Sequence, residues 1–342
     1  MKENFKDIAI LIPALNPSKN IIDVVKDLNK NDFFNIIVVN DGSNEDNKKY
    51  FDLLKNDFNI KVYEHEKNLG KGQALKTGIK LLLNENIVGI ITVDADGQHL
   101  GKDVKKVANK LKNGKIVFGE RKFKEAINVP IASKIGNKFS SIYLKLLTGI
   151  YLEDTQTGLR GIPKKYFELA LEIEGNRFDY EMNFLKEICQ RKEEFDTVEI
   201  ETIYENRIRN FKVVRDSIIV YKDFFKNIIS STVCAIIDII LFLLLVNNIN
   251  SIFIANVLAR IISGIVDFII NKVWVYKSSK NISKEAYEYL ILFIIQMFLN
   301  SMLVTIIGTI FDKIIVIVKI CVNTLLYITN FFIKSRYIFK KN

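Results

Sequence analysis

Two carboxylates one residue apart, Asp94 and Asp96, follow an apolar run that covers residues 87–93. The run is rich in β-branched residues, which predicts a buried strand. Because side chains alternate along a strand, we expect both carboxylates to point to the same side. Such a pair suits a hard divalent cation, and the cation in turn can hold a diphosphate. An acidic pair is also common in solvated turns, so the surrounding elements have to decide between the two interpretations.

The elements around this pair alternate between β-branched runs and helical patterns. We predict strands at residues 8–12, 36–39, 61–64 and 87–93, and helices at residues 21–30, 47–56 and 71–84. Strands that alternate with helices predict a parallel sheet with ligands at the carboxyl ends of its strands. Three of these ends carry polar, turn-forming residues, at 13–17, 40–43 and 94–96. Their convergence favours a ligand site over a solvated turn.

The C-terminal third has a different composition. Four apolar runs with few charges cover residues 228–246, 252–270, 289–310 and 314–333. Each approaches the roughly 20 residues that cross a hydrocarbon core. The near absence of a polar face favours spanning helices over a soluble helical core. We therefore predict a soluble domain at residues 1–220 and an all-α transmembrane domain of four helices at residues 221–342.

Basic residues are concentrated before the first apolar run, between the second and third runs, and at the C-terminal end. By the positive-inside rule, both termini and the soluble domain face the cytoplasm, and the chain is a multi-pass protein of the plasma membrane. The first residues show no signal-peptide pattern. Anionic headgroups and phosphate substrates account for the net charge of +10, so no nucleic-acid partner is predicted. Cys189, Cys234 and Cys321 lack pairing or metal-binding spacing and are expected to be reduced.

Taken in order, several short motifs resemble one family. They are residues 12–16, 39–43, 68–75, 93–99, 119–121, 154–160 and 202–204. Together they are similar to the family 2 glycosyltransferases, and most of all to the branch of polyprenyl-phosphate sugar synthases. The resemblance covers about residues 5–220 and implies a GT-A fold, an α/β fold that is Rossmann-like with a mostly parallel sheet. Pro17 stands where family members usually have a Glu, so the role of that carboxylate is not carried over.

The resemblance implies a nucleotide-sugar site and a metal site at the same strand ends. The nucleotide-sugar site would consist of Pro13, Leu15, Asn16, Asp41, Lys71, Asp94 and Asp96, and Mg2+ or Mn2+ would bind Asp94, Asp96 and Gln98. From the residues alone, Asp41 also fits an Asx turn with Gly42 and Ser43. Lys71 also fits a solvated loop, and His99 is as suited to a structural role as to metal binding.

The resemblance also implies an acceptor site for a phosphate on a lipid. Such a phosphate is already an anion, so it can attack the anomeric carbon without a strong general base. The acceptor phosphate would bind Arg121, Arg160, Arg207, Arg209 and Lys212, and the catalytic residues would be Asp96, Asp154, Arg121 and Glu181. The basic cluster at 207–215 is also explained by attraction to anionic lipids. Asp154 and Glu181 are also suited to helix capping.

Two further segments bear on the membrane. The apolar and basic residues at 131–147 predict a helix that either lies on the bilayer or packs in the core. Residues 268–276 align with residues 331–339, which predicts two repeated hairpins and resembles the GtrA-like four-span family. Polar and ionisable side chains within spans are functional candidates because they are costly there. The candidates are Asp238, Asn256, Arg260 and Asp267.

These inferences combine into one functional expectation. The protein is predicted to be a metal-dependent hexosyltransferase that moves a hexose, with inversion, from UDP-glucose or GDP-mannose to undecaprenyl or another polyprenyl phosphate on the cytoplasmic leaflet. The product would serve cell-envelope glycan modification. One alternative is a processive polysaccharide synthase, although the only Trp, Trp274, is not in the Gln-x-x-Arg-Trp motif of such enzymes. Another is a lipid-linked sugar translocation protein, and the sequence leaves open whether the chain forms a homo-oligomer.

Overall fold

The computed structural model describes residues 5–122, 129–201, 213–246, 248, 252–278, 281–310 and 315–339. The chain divides into two compact units, Met1–Val220 and Tyr221–Asn342. The first unit contains strands and helices, and the second unit contains helices.

The first unit is built on one sheet of seven strands in the order β3-β2-β1-β4-β6-β5-β7. The strands are β1 (Ile8–Ala14), β2 (Ile36–Asn40), β3 (Lys61–Glu64), β4 (Gly89–Thr92), β5 (Ile116–Arg121), β6 (Arg160–Pro163) and β7 (Phe195–Ile200). Among these strands, β6 runs antiparallel to both neighbours and the other pairs are parallel. The chain moves outward from β1 to β3 and then crosses to β4 on the other side of β1. Sheets of this kind bind ligands at that switch point, beyond the carboxyl ends of the strands.

Helices cover both faces of the sheet, because the strand residues are apolar on both sides. The helices are α1 (Asn20–Lys30), α2 (Glu45–Phe58), α3 (Lys71–Leu82), α4 (Gly101–Leu111), α5 (Ile131–Thr148), α6 (Phe167–Glu172), α7 (Asp179–Arg191) and α8 (Val213–Val220). Ile10 and Ile12 of β1 pack in one core cluster with residues of α1 and α4. Ala9 and Leu11 pack in a second cluster with residues of α3 and α7. The period of two along β1 thus supplies both cores.

The predicted strands and helices of this unit are present, and their bounds differ from the prediction by at most two residues. Two of these differences bear on the site. Strand β1 continues to Ala14, so Pro13 lies in the strand and not in the following loop. Backbone groups alternate in direction along a strand, so the Pro13 nitrogen points toward the β4 side. Strand β4 pairs with β1 only as far as Leu11. The hydrogen bonds between β1 and β4 therefore do not require the backbone N–H that proline lacks.

The second difference concerns the acidic pair. Strand β4 ends at Thr92, so Asp94 and Asp96 lie in the turn that follows it. The two carboxylates therefore do not follow strand alternation, and that prediction was wrong, although their location at the strand end is as predicted. The turn includes Gly97, whose φ of 81° is in the left-handed region that glycine adopts without strain.

The second unit consists of α9 (Lys222–Val246), α10 (Ile252–Ile270), α11 (Ile282–Ile310) and α12 (Ile315–Ile333). Helix α9 packs on α10, and α11 packs on α12. Within the described residues, the segment Lys222–Leu245 is long and apolar enough to cross a membrane.

The two halves of this unit repeat the same arrangement. Helices α10 and α12 have 19 residues each. A π-helical segment of five residues follows each one, Asn271–Val275 after α10 and Lys334–Ile338 after α12. The two segments occupy equivalent positions in the alignment of residues 268–276 with 331–339.

Candidate functional site

The carboxyl ends of β1 and β4 hold a compact charged group. Lys71, the first residue of α3, places its Nζ 2.7 Å from Asp94 Oδ1 and 3.0 Å from Glu181 Oε2 of α7. A Cβ atom at Gly158 would lie 2.2 Å from Asp94 Oδ2, so a side chain at 158 would displace this carboxylate. The structure therefore brings three of the predicted site residues together. The packing role of Gly158 was not predicted, and its only signal in the sequence was its place in the motif at 154–160.

Opposite charges set the protonation of this group. Burial alone would lower the pKa of Lys71, but the carboxylates of Asp94 and Glu181 raise it above its usual range. Burial alone would raise the pKa of Asp94, but the Lys71 ammonium and the His99 ring hold it well below its usual range. Burial and the negative charge of Asp94 raise the pKa of Asp96. The two carboxylates thus repel each other, and a cation shared between them would relieve that repulsion.

The donor chemistry of this turn fits a hard divalent cation. Mg2+ is usually held by one or two carboxylates together with substrate phosphates. Asp94 and Asp96 supply such carboxylates, and the Gln98 backbone N–H orders the turn by donating to Asp96 Oδ1 at 3.0 Å. His99 Nε2 lies 3.4 Å from Asp94 Oδ2, and His99 Nδ1 is buried without a hydrogen-bond partner in the described structure. Within the described residues, no group of three or more His, Cys, Asp or Glu side chains could hold a metal ion.

Asp41 organises the loop that leads to Lys71. Its buried carboxylate accepts hydrogen bonds from the backbone N–H groups of Leu69 and Gly70, at 2.9 and 2.8 Å. His65 Nδ1 lies 2.8 Å from the same carboxylate. These contacts hold the residues immediately before α3, so Asp41 positions Lys71.

The loops that follow β1 and β2 bind each other. The Asn16 N–H donates to Ser43 Oγ, and the Asn44 N–H donates to Asn16 Oδ1, both at 2.8 Å. The Ser43 N–H donates to Asn40 Oδ1 at 2.9 Å. Asn40 therefore makes the Asx contact at this turn. Such a contact had been predicted as an alternative role for Asp41.

The first loop also reaches the acidic turn. Leu15 is partly buried after β1. The side chain of Asn20, at the start of α1, donates to the backbone carbonyl of Asp96 at 3.3 Å. Nothing in the sequence pattern indicated Asn20, because the contact joins segments that are far apart in the chain.

Arg121 and Asp154 form a closed ion pair. Arg121 Nε and Nη2 donate to the two oxygens of Asp154, at 2.6 and 3.1 Å. Asp154 is fully buried and also accepts from the Gln156 N–H at 3.0 Å. The structure therefore joins two residues that were both predicted to be catalytic, and one of them, Arg121, was also predicted to bind the acceptor phosphate.

Arg160 lies in the core beneath the site. Its Nη1 donates to the backbone carbonyl of Glu181 at 2.8 Å, and its Nε donates to that of Thr157 at 3.2 Å. It stacks 5.6 Å from the Phe118 ring and is 3% exposed. The other residues predicted to bind the acceptor phosphate, Arg207, Arg209 and Lys212, lie outside the described residues.

Helix α5 carries two apolar faces. Tyr143, Leu144 and Leu147 are buried, which accounts for core packing on one side. The opposite side is a stripe of exposed large apolar side chains. The stripe consists of Ile131, Ile135, Phe139, Ile142 and Leu146.

A second charged group lies in the helical unit around Asp267 of α10. Its carboxylate contacts Lys334 Nζ at 2.6 Å and accepts from Tyr289 OH at 2.5 Å and from Asn271 Nδ2 at 2.8 Å. Ser230 of α9 donates to it at 3.3 Å. Side chains from both halves of the unit therefore meet at one carboxylate.

Arg260 contacts a different carboxylate in the helical unit. Its Nε lies 4.0 Å from Asp238 Oδ2. The Ser263 hydroxyl donates to Asp238 Oδ1 at 3.0 Å.

A mostly parallel sheet with an acidic pair and a lysine at its switch point defines a GT-A-like transferase domain. Residues 9–169 match glycosyl transferase family 2, and residues 227–339 match the GtrA/DPMS transmembrane domain. The chain belongs to glycosyl transferase family 2 and carries a C-terminal GtrA/DPMS transmembrane domain, as the motifs predicted. The second match indicates a membrane protein.

Named relatives come from archaea and bacteria. The UDP-N-acetylglucosamine–dolichyl-phosphate N-acetylglucosaminyltransferase of Methanococcus voltae is 34% identical over 217 residues, which are 58% of this chain and 86% of that protein. The undecaprenyl-phosphate mannosyltransferase of Micrococcus luteus is 23% identical over 156 residues, 44% of this chain and 64% of that protein. A structure of glucosyl-3-phosphoglycerate synthase from Mycobacterium tuberculosis has a TM-score of 0.48 and 15% identity, covering 64% of this chain and 76% of that one.

Proposed function

We propose that this protein transfers a sugar from a nucleotide sugar to a polyprenyl phosphate, with inversion, at the cytoplasmic leaflet of the plasma membrane. One observation carries the proposal. The Asp94 and Asp96 pair, with Lys71 against it, lies at the switch point of a family 2 domain whose chain continues into a GtrA/DPMS transmembrane domain. The relatives named for dolichyl-phosphate and undecaprenyl-phosphate acceptors support the acceptor class.

The donor side uses the residues at the strand ends. Asp94, Asp96 and Gln98 would hold Mg2+ or Mn2+, and the bound ion neutralises charge on the departing nucleoside diphosphate. Lys71 adds a second positive charge at the start of α3, where an anion is favoured by the helix. The β1 end, with Pro13, Leu15 and Asn16, and the β2 end, with Asp41, shape the nucleotide site.

The acceptor side needs cations more than it needs a base. An oxygen of the lipid phosphate forms a bond to the anomeric carbon while the bond from that carbon to the diphosphate breaks on the opposite face, so the configuration inverts. Arg121, held by Asp154, offers a fixed guanidinium to the incoming phosphate. Arg160 supports Glu181 from below, and Glu181 in turn orients Lys71. We keep Arg207, Arg209 and Lys212 as further ligands for that phosphate.

The exposed stripe of α5 supports a position of this helix at the bilayer surface. The stripe is accompanied by Lys134, Lys138 and Lys145, and the helix contains no acidic residue. Apolar side chains flanked by lysines bind membranes that contain anionic lipids. We therefore propose that α5 lies on the leaflet from which the acceptor is taken. The four helices α9 to α12 would span the bilayer with both termini in the cytoplasm.

A transfer assay tests the function. Purified full-length protein is incubated with undecaprenyl or dolichyl phosphate and a radiolabelled donor, with Mn2+ or Mg2+, and with or without EDTA. The donors are UDP-glucose, GDP-mannose and UDP-N-acetylglucosamine, the last because a relative is named for it. We expect an organic-extractable product from one donor, and its loss with EDTA and in Asp96→Asn. Polymer without a lipid product would favour a processive synthase. Nucleotide binding without any product would favour a translocation protein.

A further inference from the structure

We propose that Lys71 is the resident counter-ion of Asp94, and that a divalent cation and a nucleoside diphosphate bind together by exchange of its ammonium. When the two ligands bind, the ammonium leaves the Asp94 carboxylate for the diphosphate. Each ligand alone therefore binds weakly, and each strengthens the other. This inference rests on the proposed function, because it assigns the same strand ends to a nucleotide and a cation.

The exchange follows from the oxygen atoms that are already in use. Lys71 Nζ contacts Asp94 Oδ1 at 2.7 Å, which is hydrogen-bonding distance. His99 faces the other oxygen, Oδ2, at 3.4 Å. A divalent cation bound to Asp94 would lie next to the ammonium, and two positive charges at that separation repel. The cation therefore has to compete with Lys71 for this carboxylate.

The surroundings of Lys71 allow its ammonium to move. The side chains of Lys71, Asp94 and Glu181 are 18%, 28% and 13% exposed, so ligands can approach them. Glu181 Oε2 lies 3.0 Å from the ammonium and can keep it paired while Asp94 is released. The loop before Lys71 is fixed by Asp41, so the backbone stays in place while the flexible side chain changes partner.

The diphosphate gives the ammonium a new partner of the same sign as Asp94. Once the ammonium contacts the diphosphate, the cation no longer competes for Asp94. By thermodynamic linkage, the factor by which the nucleotide strengthens cation binding equals the factor by which the cation strengthens nucleotide binding. Without the Lys71 ammonium, the two carboxylates would lack this coupling between cation binding and nucleotide binding.

Binding of Mn2+ to the purified full-length protein tests this exchange without sugar donor or lipid. Free Mn2+ is measured by electron paramagnetic resonance, with and without UDP or GDP, after correction for Mn2+ bound by the nucleotide itself. In the wild type we expect weak binding of Mn2+ alone and at least about tenfold tighter binding with the nucleotide. Lys71→Met should bind Mn2+ alone about tenfold more tightly than the wild type, and it should lose most of the gain from the nucleotide.

A matched control removes a neighbouring charge on the same helix. The Lys76 ammonium lies 5.4 Å from the Tyr180 ring, and the carboxylates that act on it are those of Asp179 and Glu174, so Lys76→Met should leave Mn2+ affinity within about twofold of the wild type. The variant Glu181→Gln should change Mn2+ binding in the opposite direction to Lys71→Met. Without Glu181, the ammonium depends on Asp94, so Mn2+ alone should bind more weakly.

The outcomes separate this inference from the proposed function. Unchanged or weaker Mn2+ binding in folded Lys71→Met would overturn the exchange, even if sugar transfer is found. Tighter binding in that variant, and no difference between Asp94→Asn and Asp94→Asn/Lys71→Met, would support the exchange even if no lipid product forms. If Lys71→Met does not fold, Glu181→Gln decides, and unchanged or tighter Mn2+ binding in that variant would overturn the exchange.

Discussion

The two units hold their buried ammonium groups in different ways. In the α/β unit, the Lys71 side chain is 18% exposed and that of its partner Asp94 is 28% exposed. In the helical unit, the Lys334 and Asp267 side chains are only 3% and 12% exposed. The contact distances are similar, at 2.7 and 2.6 Å. The exposure of the side chains, and not the contact distance, therefore distinguishes the two ion pairs. The Lys71–Asp94 pair can exchange ligands, and the Lys334–Asp267 pair holds helices together.

The surroundings of Lys334 explain why its pair is closed. Its ammonium lies 5.1 Å from the Tyr289 ring, and the Tyr289 hydroxyl donates to the same Asp267 oxygen. Asn271 donates to the other oxygen. Removing one partner from such a pair leaves a buried charge without compensation, which is costly.

Lys334→Met should have the largest effect on stability. It leaves the Asp267 carboxylate without its ammonium, so the free energy of unfolding of the helical unit should fall by about 3–5 kcal/mol. The double variant Asp267→Asn/Lys334→Met should recover part of this loss. Thermal unfolding in detergent, followed by circular dichroism, measures both. The control is Lys226→Met, which removes a cation 5.5 Å from the Trp274 ring and should cost less than about 1 kcal/mol. An equal loss in the control would remove the distinction between the pairs.

Asp94→Asn should affect activity and spare stability. Lys71 keeps Glu181 as a partner, so the free energy of unfolding should change by about 1 kcal/mol or less. Sugar transfer should fall by about 10²–10³-fold, the usual result of losing one electrostatic contact to developing charge. Initial rates and chemical denaturation of one preparation measure the two effects. Glu64→Gln, which breaks an exposed pair with Lys55, should change neither. Unfolding of Asp94→Asn would mean that its pair is structural, like that of Lys334.

Arg121→Lys tests whether the buried ion pair between Arg121 and Asp154 stabilises the α/β unit. Lysine keeps the charge but loses the two-point contact with the fully buried Asp154. We expect the free energy of unfolding to fall by about 1–2 kcal/mol. Urea denaturation measures the change. The control is Arg191→Lys, at a pair with Glu187 on the surface of α7, which should be nearly neutral. A neutral result at Arg121 would show that burial of Asp154 does not make this pair structural.

Cysteine alkylation provides the smallest effect and reports on each unit separately. Cys189 of α7 and Cys234 of α9 are both buried. Burial raises the pKa of Cys189 from an ordinary 9.0 to about 12. Since the folded chain keeps the proton longer, the stability from this group is full below about pH 9 and is lost as the pH rises to about 12. At about pH 9, iodoacetamide should label neither thiol in the native protein.

Mass spectrometry of the labelled peptides gives the result for both units at once. Lys334→Met should expose Cys234 alone, and Asp94→Asn should expose neither thiol. Labelling of Cys189 in the native protein would contradict the expected protection. Denaturant should expose both thiols and serves as the positive control.

The order of elements in the α/β unit could be predicted because each strand carries a local signal. Strand β1 consists of apolar residues and β2 of β-branched residues that end at Asn40, and polar turn residues follow both strands. The end of β4 was predicted one residue too late, because it depends on pairing with β1 and on the turn at Gly97. These features are not visible in the apolar run itself.

The partners of the site residues could not be predicted, because they come from distant parts of the chain. Nothing near Lys71 indicates that Glu181 of α7 reaches it. Arg160 was assigned to the acceptor because arginines bind phosphates. Its strand, β6, lies between β4 and β5 in the sheet, and this position buries the side chain. Motif order predicts which segments converge, and packing decides which atoms face the ligand.

The repeat in the helical unit has a consequence for how such a bundle could be assembled. Asp267 corresponds to Asn330 in the alignment of the two halves, and Asn271 corresponds to Lys334. Asp267 of the first half and Lys334 of the second half form an ion pair. The equivalent positions with the two halves exchanged are Asn330 and Asn271, and both carry neutral amides. Two identical hairpins related by exact symmetry would contain either two such ion pairs or none. Covalent linkage of two diverged copies permits one ion pair and one pair of neutral amides. The two halves of the bundle are therefore distinguishable, which is the minimum that a directional process needs.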